Sequence, residues 1–224
     1  AIGALTTKAI EGYAAQEQLV GGVETLFKTS SDTVVGYAND AYKTAGMSAN
    51  EYMETVTSFS ASLLASMNND TAAAAEKANV AITDMSDNAN KMGTDISLIQ
   101  NAYNGFAKQN YTMLDNLKLG YGGTKEEMQR LLDDASKLSG IKYDISSYSD
   151  VVDAIHVVQT EMDITGTTAK EASTTIEGSV SSMSSAWDNW VAGMADSEAN
   201  FSQLTSNLVD SIVTVVGNIA PRVI

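Results

Sequence analysis

Tyr52, Val56, Phe59, Leu63 and Met67 follow one another at spacings of three and four residues. That spacing returns to one side of an α-helix on each turn and does not fit the alternation of a half-buried strand. The same rhythm covers most of the chain. Ile96, Ile99, Tyr103 and Phe106 carry it, followed by Met113, Leu114 and Leu117. Met128, Leu131, Leu132, Ala135 and Leu138 form the next stripe, and Val151, Val152, Ile155, Val158 and Met162 the one after. Ile176, Val180, Met183, Trp187, Trp190, Val191 and Met194 form a long fifth stripe, and Phe201, Leu204, Leu208, Ile212, Val215 and Ile219 the last. A single proline among 224 residues leaves such helices uninterrupted. The only candidate strand is the short run "IKYDI", Ile141 to Ile145.

Helix starts are written between the stripes. Ser or Thr followed three residues later by Glu is a capping box, each side chain satisfying a backbone N–H of the first turn. It occurs behind glycine at Ser48/Glu51, Thr124/Glu127 and Thr168/Glu171. Asp70 is a further cap candidate, and "SSYSDVV" opens the helix carrying His156. Gly21 and Gly22 lie inside a helical pattern that they are able to break or kink. The expectation is an all-α, multi-helix bundle of about eight helices joined by short Gly/Asn/Ser turns. It is read as one helical domain over 1–224, with a possible sub-boundary near 120–124. The first residue is not Met, so the chain is read as a fragment of a longer protein.

"NLKLGYGGTKEEMQRLL", Asn116 to Leu132, places glycines beside Thr124 and Lys125 before a helix. A phosphate loop needs Gly, four residues, then Gly-Lys-Ser/Thr behind a buried strand. The order here is Thr-Lys, and the preceding segment reads as amphipathic helix. The expected structure is a helix C-cap at Gly120, a hinge over Gly120, Gly122 and Gly123, and a newly capped helix.

No cysteine is present, which excludes disulfides, thiolate metal sites and cysteine nucleophiles. The net charge of −15, with basic residues scattered singly, opposes direct contact with nucleic-acid phosphates or anionic lipid. The apolar run near Ile212 is far shorter than the ~20 residues that span a bilayer.

His156 is the only histidine, with Asp153 one turn earlier on the same face. A metal site needs further ligands that the chain does not offer as a motif, so none is expected. No Gly-x-Ser-x-Gly elbow occurs; "GMSAN" is explained by its cap. Asp133/Asp134 and Glu126/Glu127 are adjacent on helices and point apart, so neither makes an acid/base pair. "DMSDNANKMG" lacks the terminal Glu of an EF-hand loop and reads as an exposed helix face. No catalytic residue and no cofactor are expected. The candidate interaction surface comprises Trp187, Trp190, Leu208, Ile212, Val215 and Val216.

Three long strings carry a resemblance. They begin "YANDAYKTAGMSANEYMETVTSFS", "AITDMSDNANKMGTDISLIQNAYNGFAKQNYTMLDNLKLGYGG" and "DVVDAIHVVQTEMDITGTTAKEAS". The chain from about Glu17 onward resembles tail tape measure proteins of long-tailed phages and prophages of Gram-positive bacteria. The resemblance implies a virion structural protein in the tail lumen, present in the host cytoplasm during assembly. Its length sets how far the tail tube polymerises, and it leaves ahead of the DNA. The implied partners are further copies of itself, tail tube and tip or baseplate proteins, and tail assembly chaperones. Host membrane contact falls to other parts of the chain. No catalytic residue carries over. Two other readings stand beside this one: a secreted helical effector or pore-forming protein of a Gram-positive bacterium, and a cell-wall hydrolase. The wide apolar stripes must be buried, so the segment in isolation is expected to be compact. In a tube the same stripes could bury against other copies.

Overall fold

The computed structural model describes residues 2–223. The fold is an all-α bundle, with no strand among the described residues. The helices are α1 (Ile2–Phe27), α2 (Ser31–Thr44), α3 (Ala49–Ser66), α4 (Thr71–Met92), α5 (Ile96–Phe106), α6 (Lys125–Ser139), α7 (Tyr148–Glu161), α8 (Thr167–Thr174), α9 (Ile176–Gly193) and α10 (Phe201–Val223). The chain divides into two compact units. The first comprises Ala1–Glu54 with Thr168–Ile224, and the second Thr55–Thr167. The Gly120–Gly123 segment therefore falls inside the second unit.

In the first unit α9 packs against α10, α1 and α2. Small residues permit the close approaches. A Cβ at Gly12 would lie 3.2 Å from that of Ala192, and one at Gly193 would lie 2.3 Å from Leu204 Cδ1. α1 runs unbroken through Gly21 and Gly22, so the break that these glycines leave open is not taken. Two glycines cost a helix interior about 1 kcal/mol each relative to alanine. The apolar positions Val23 and Phe27 beyond them are fully buried and offset that cost.

In the second unit α7 packs on both α6 and α4, and α4 packs on α5 and on a 3-10 turn at Leu114–Leu117. Phe59, Leu63, Ile82, Met85, Ile99, Phe106 and Leu117 are among its fully buried side chains. Four of the capping positions act as written. Thr168 instead lies inside α8 (Thr167–Thr174), because that helix begins ahead of the position the box marks. Asp70 accepts from the N–H groups of Ala72 and Ala73 at 3.1 Å each. Ser147 Oγ caps α7 by accepting from Asp150 N–H.

Three expectations are corrected. The stretch before Gly120 is not amphipathic helix, because the chain reverses after α5: Asn110 N–H returns to Gly105 O at 2.9 Å, with Gln109 at φ 56°. Gly120 (φ 86°) is accordingly a turn residue and caps no helix. Leu138 and Met162, counted in apolar stripes, are exposed where α6 and α7 end. The short candidate "IKYDI" forms no strand, in keeping with the all-α reading.

Candidate functional site

The segment "DMSDN" is buried, which overturns its reading as a solvated face. Asp84, Met85, Ser86, Asp87 and Asn88 are all buried within the second unit. The cause is the packing of α4 against α5, α7 and the 3-10 turn, which leaves little of the helix in water. A legible signal existed. Ala74, Ala78 and Ala81 keep the side chains on one face small, and that face leads one turn later to Asp84, Met85 and Asn88.

Asp84 meets His156. Its side chain is 1% exposed, against 38% for the histidine. Nδ1 of His156 donates to Asp84 Oδ2 at 2.9 Å and Oδ1 at 3.0 Å. The neighbouring residues fix the pair in place. Asp87 accepts from Gly166 N–H beyond the end of α7, and Asn88 Nδ2 donates to Leu117 O at 3.0 Å. Lys77 binds Asp153 at 2.5 Å, so Asp153 does not serve as the partner of His156.

Electrostatics couple the pair. The hydrogen bond donated to Asp84 raises the His156 imidazole above its ordinary value, against an opposing effect of burial. Burial raises the Asp84 carboxyl, against the lowering effect of His156. Both shifts state that the folded pair holds a proton more tightly than the unfolded chain does, and that shared direction is the one the geometry supports. Tyr103 is fully buried nearby and burial raises its hydroxyl well above the usual range. Among the described residues, Tyr103 OH, Asn88 Oδ1, Ser86 Oγ and both polar atoms of the Gln159 side chain are buried with no hydrogen-bond partner.

Among the described residues no group of three or more His, Asp or Glu side chains is placed to hold a metal ion. The first unit carries an open cleft of about 640 Å³ lined by Lys8, Glu11, Glu51, Asp188, Asn189 and Gln203, among others. Glu51 is occupied there as a capping residue, accepting from Ser48 N–H at 2.7 Å.

The glycine-rich turn is held from one side by Arg130. Its Nη2 donates to Gly120 O at 2.8 Å and to Glu127 Oε2 at 2.6 Å, and its guanidinium lies over the Tyr121 ring at 4.3 Å. Glu127 Oε2 accepts from Gly122 N–H at 3.0 Å, while Thr124 Oγ1 accepts from Glu127 N–H. The box is thus closed through Gly122 rather than through the cap's own N–H. The turn that resembles a phosphate loop is filled by its own carboxylate.

The six candidate surface residues separate. Leu208 and Val215 are buried. Tyr42, Ala186 and Leu208 form an apolar cluster that Met183 and Trp190 pack against. Trp190 stacks on Trp187 at 5.3 Å, approaches Phe201 at 5.4 Å and donates its indole N–H to Thr205 Oγ1 at 3.1 Å. Trp187 is exposed, as are Ile212 and Val216. Val209 and Val213, which the stripe did not include, join the last two as exposed residues on α10. They stand at i, i+3, i+4 and i+7, a single helical face.

No helix among the described residues is long and apolar enough to cross a membrane. No family model, no curated protein and no solved structure matches the chain.

Proposed function

We propose that this chain is a segment of a tail tape measure protein of a long-tailed phage or prophage of Gram-positive bacteria. The observation that carries the reading is the resemblance of three long strings, over residues 37–67, 81–135 and 150–183. The all-α fold agrees with a ruler built of helices, each residue of which spans about 1.5 Å when extended. In this reading the exposed face Val209, Ile212, Val213 and Val216 of α10 meets further copies of the chain or the tail tube proteins. A contiguous apolar face of this kind in water favours burial against a partner.

The test is tail length. Residues Thr55–Thr167 form a compact unit and are removed in frame from the full-length gene of the phage that encodes them. If the segment is stretched as ruler in the virion, tails measured by electron microscopy shorten by up to roughly 170 Å. Tails of unchanged length would remove the ruler role from this unit.

A further inference from the structure

We propose that the His156–Asp84 contact is a proton-operated latch, which holds α7 on α4 while the pair carries its proton and loosens the second unit as the proton leaves. The geometry supplies the parts. Asp84 is removed from water, and among the described residues the side chain that reaches both of its oxygens is His156. With the imidazole protonated, the buried carboxylate faces a full positive charge. Once the proton is lost, the contact falls to a neutral N–H and the carboxylate keeps its desolvation cost.

The surroundings offer little replacement. From α4 the pair is faced by Asp87, whose Oδ2 is engaged by Gly166 N–H. Lys77 of α4 is engaged by Asp153 of α7. From α5 comes the Tyr103 hydroxyl, and Tyr148 of α7 lies near it. The buried positions of α6, which also packs on α7, are Met128, Leu131, Leu132 and Ala135, none of them titratable. Gln159, one turn beyond His156, is fully buried with its amide unpaired. Among these groups the one cation is taken by Asp153, so only neutral donors are left to stand in for the imidazolium.

The sign follows from linkage. A group whose folded value is raised stabilises fully below its unfolded value, about 6.5 for histidine, and the contribution is lost as pH rises through the folded value. The raised Asp84 carboxyl acts in the same direction. The chain has no cysteine and no second histidine, so few other side chains change charge between pH 6 and 8.5.

The full 224-residue chain is followed by hydrogen exchange at pH 6.0 and 8.5, corrected for intrinsic rates. The expected result is opening of α4 and α7 increased by about fivefold or more at pH 8.5, with α2 and α9 of the first unit unchanged. His156→Gln, which keeps a donor but does not titrate, flattens the dependence. Asp84→Asn does the same, and because His156 is partly exposed the glutamine variant decides alone if the asparagine variant does not fold. NMR of the single imidazole supplies an independent reading, with a midpoint above ~6.5 expected. A midpoint at or below that value, pH-independent exchange in the wild type, or unaltered pH dependence in His156→Gln each overturns the latch.

Discussion

A Cβ added to Gly123 would lie 2.3 Å from the carbonyl oxygen of Thr112. The obstacle is backbone, which cannot rotate away as a side chain can. Gly123→Ala therefore forces the turn after residue 112 apart from the start of α6. Overpacking of this kind costs typically 1–3 kcal/mol. At Gly122 the added atom would meet only Glu127 Cγ at 3.5 Å, an ordinary contact. Urea denaturation followed through α6 amides should show a lower midpoint for Gly123→Ala and a change within about 0.5 kcal/mol for Gly122→Ala. Equal, small effects would return the segment to the role of a free hinge.

Both tryptophans belong to the first unit, so indole emission reports that unit alone. Trp190 is packed on the Tyr42–Ala186–Leu208 cluster and hydrogen-bonded, whereas Trp187 stacks on it from the exposed side. Trp190→Phe removes the hydrogen bond to Thr205 and part of the packing. It should lower the thermal midpoint of the first unit by about 1–3 kcal/mol equivalent. Trp187→Phe should change it by less than about 1 kcal/mol. Differential scanning calorimetry checks both, and the reverse order would contradict this assignment of inner and outer ring.

The split of the α10 stripe gives a paired prediction. Leu208→Ala empties a buried position and should cost about 2–4 kcal/mol. Ile212→Glu and Val216→Glu change exposed positions and should leave stability within about 0.5 kcal/mol. If this face meets further copies as proposed, the unaltered chain should associate with concentration in sedimentation equilibrium, and the same two substitutions, which place charge on the apolar face, should abolish that association. Association that survives both would transfer self-contact to another surface.

Periodicity carried the fold well and the site poorly, for one physical reason. A spacing of three and four identifies which residues share a helix face but not whether that face is inside. Tyr52, Val56, Phe59 and Leu63 are apolar, so sharing a face and being buried coincide, and all four are buried. Asp84, Asp87 and Asn88 are polar, so the same rule sent them to water. The alanine face of α4 points toward Asp84 and Asn88, but that the helix is covered there by several neighbours is tertiary information. His156 was visible as a lone titratable residue. Its partner lies 72 positions away and no spacing could reveal it. Leu208 and Ile212 show the converse: four residues apart on one stripe, one is covered by the α9 side and the other is left outside. A stripe wider than the partner helix can cover leaves an apolar edge in solvent.

The clamp over the glycine turn gives the last prediction. The Glu127 carboxyl is lowered to about 2, first by the Arg130 hydrogen bonds and then by Gly122 N–H. A lowered carboxyl contributes above its unfolded value, near 4.3, and that contribution is lost only as pH falls through the folded value. Glu127 should therefore remain ionised at pH 3.5, where an unpaired glutamate is mostly protonated, and the turn should stay closed. The carboxyl carbon of Glu127, followed by NMR, should titrate with a midpoint about two units below that of ordinary glutamates. Arg130→Ala removes the leading cause while leaving Gly122 N–H in place, so the midpoint should move most of the way back. The Tyr121 ring loses its cation in the same variant. An Arg130→Ala protein whose Glu127 still titrates near 2 would show that the backbone of the turn, and not the guanidinium, fixes the carboxylate.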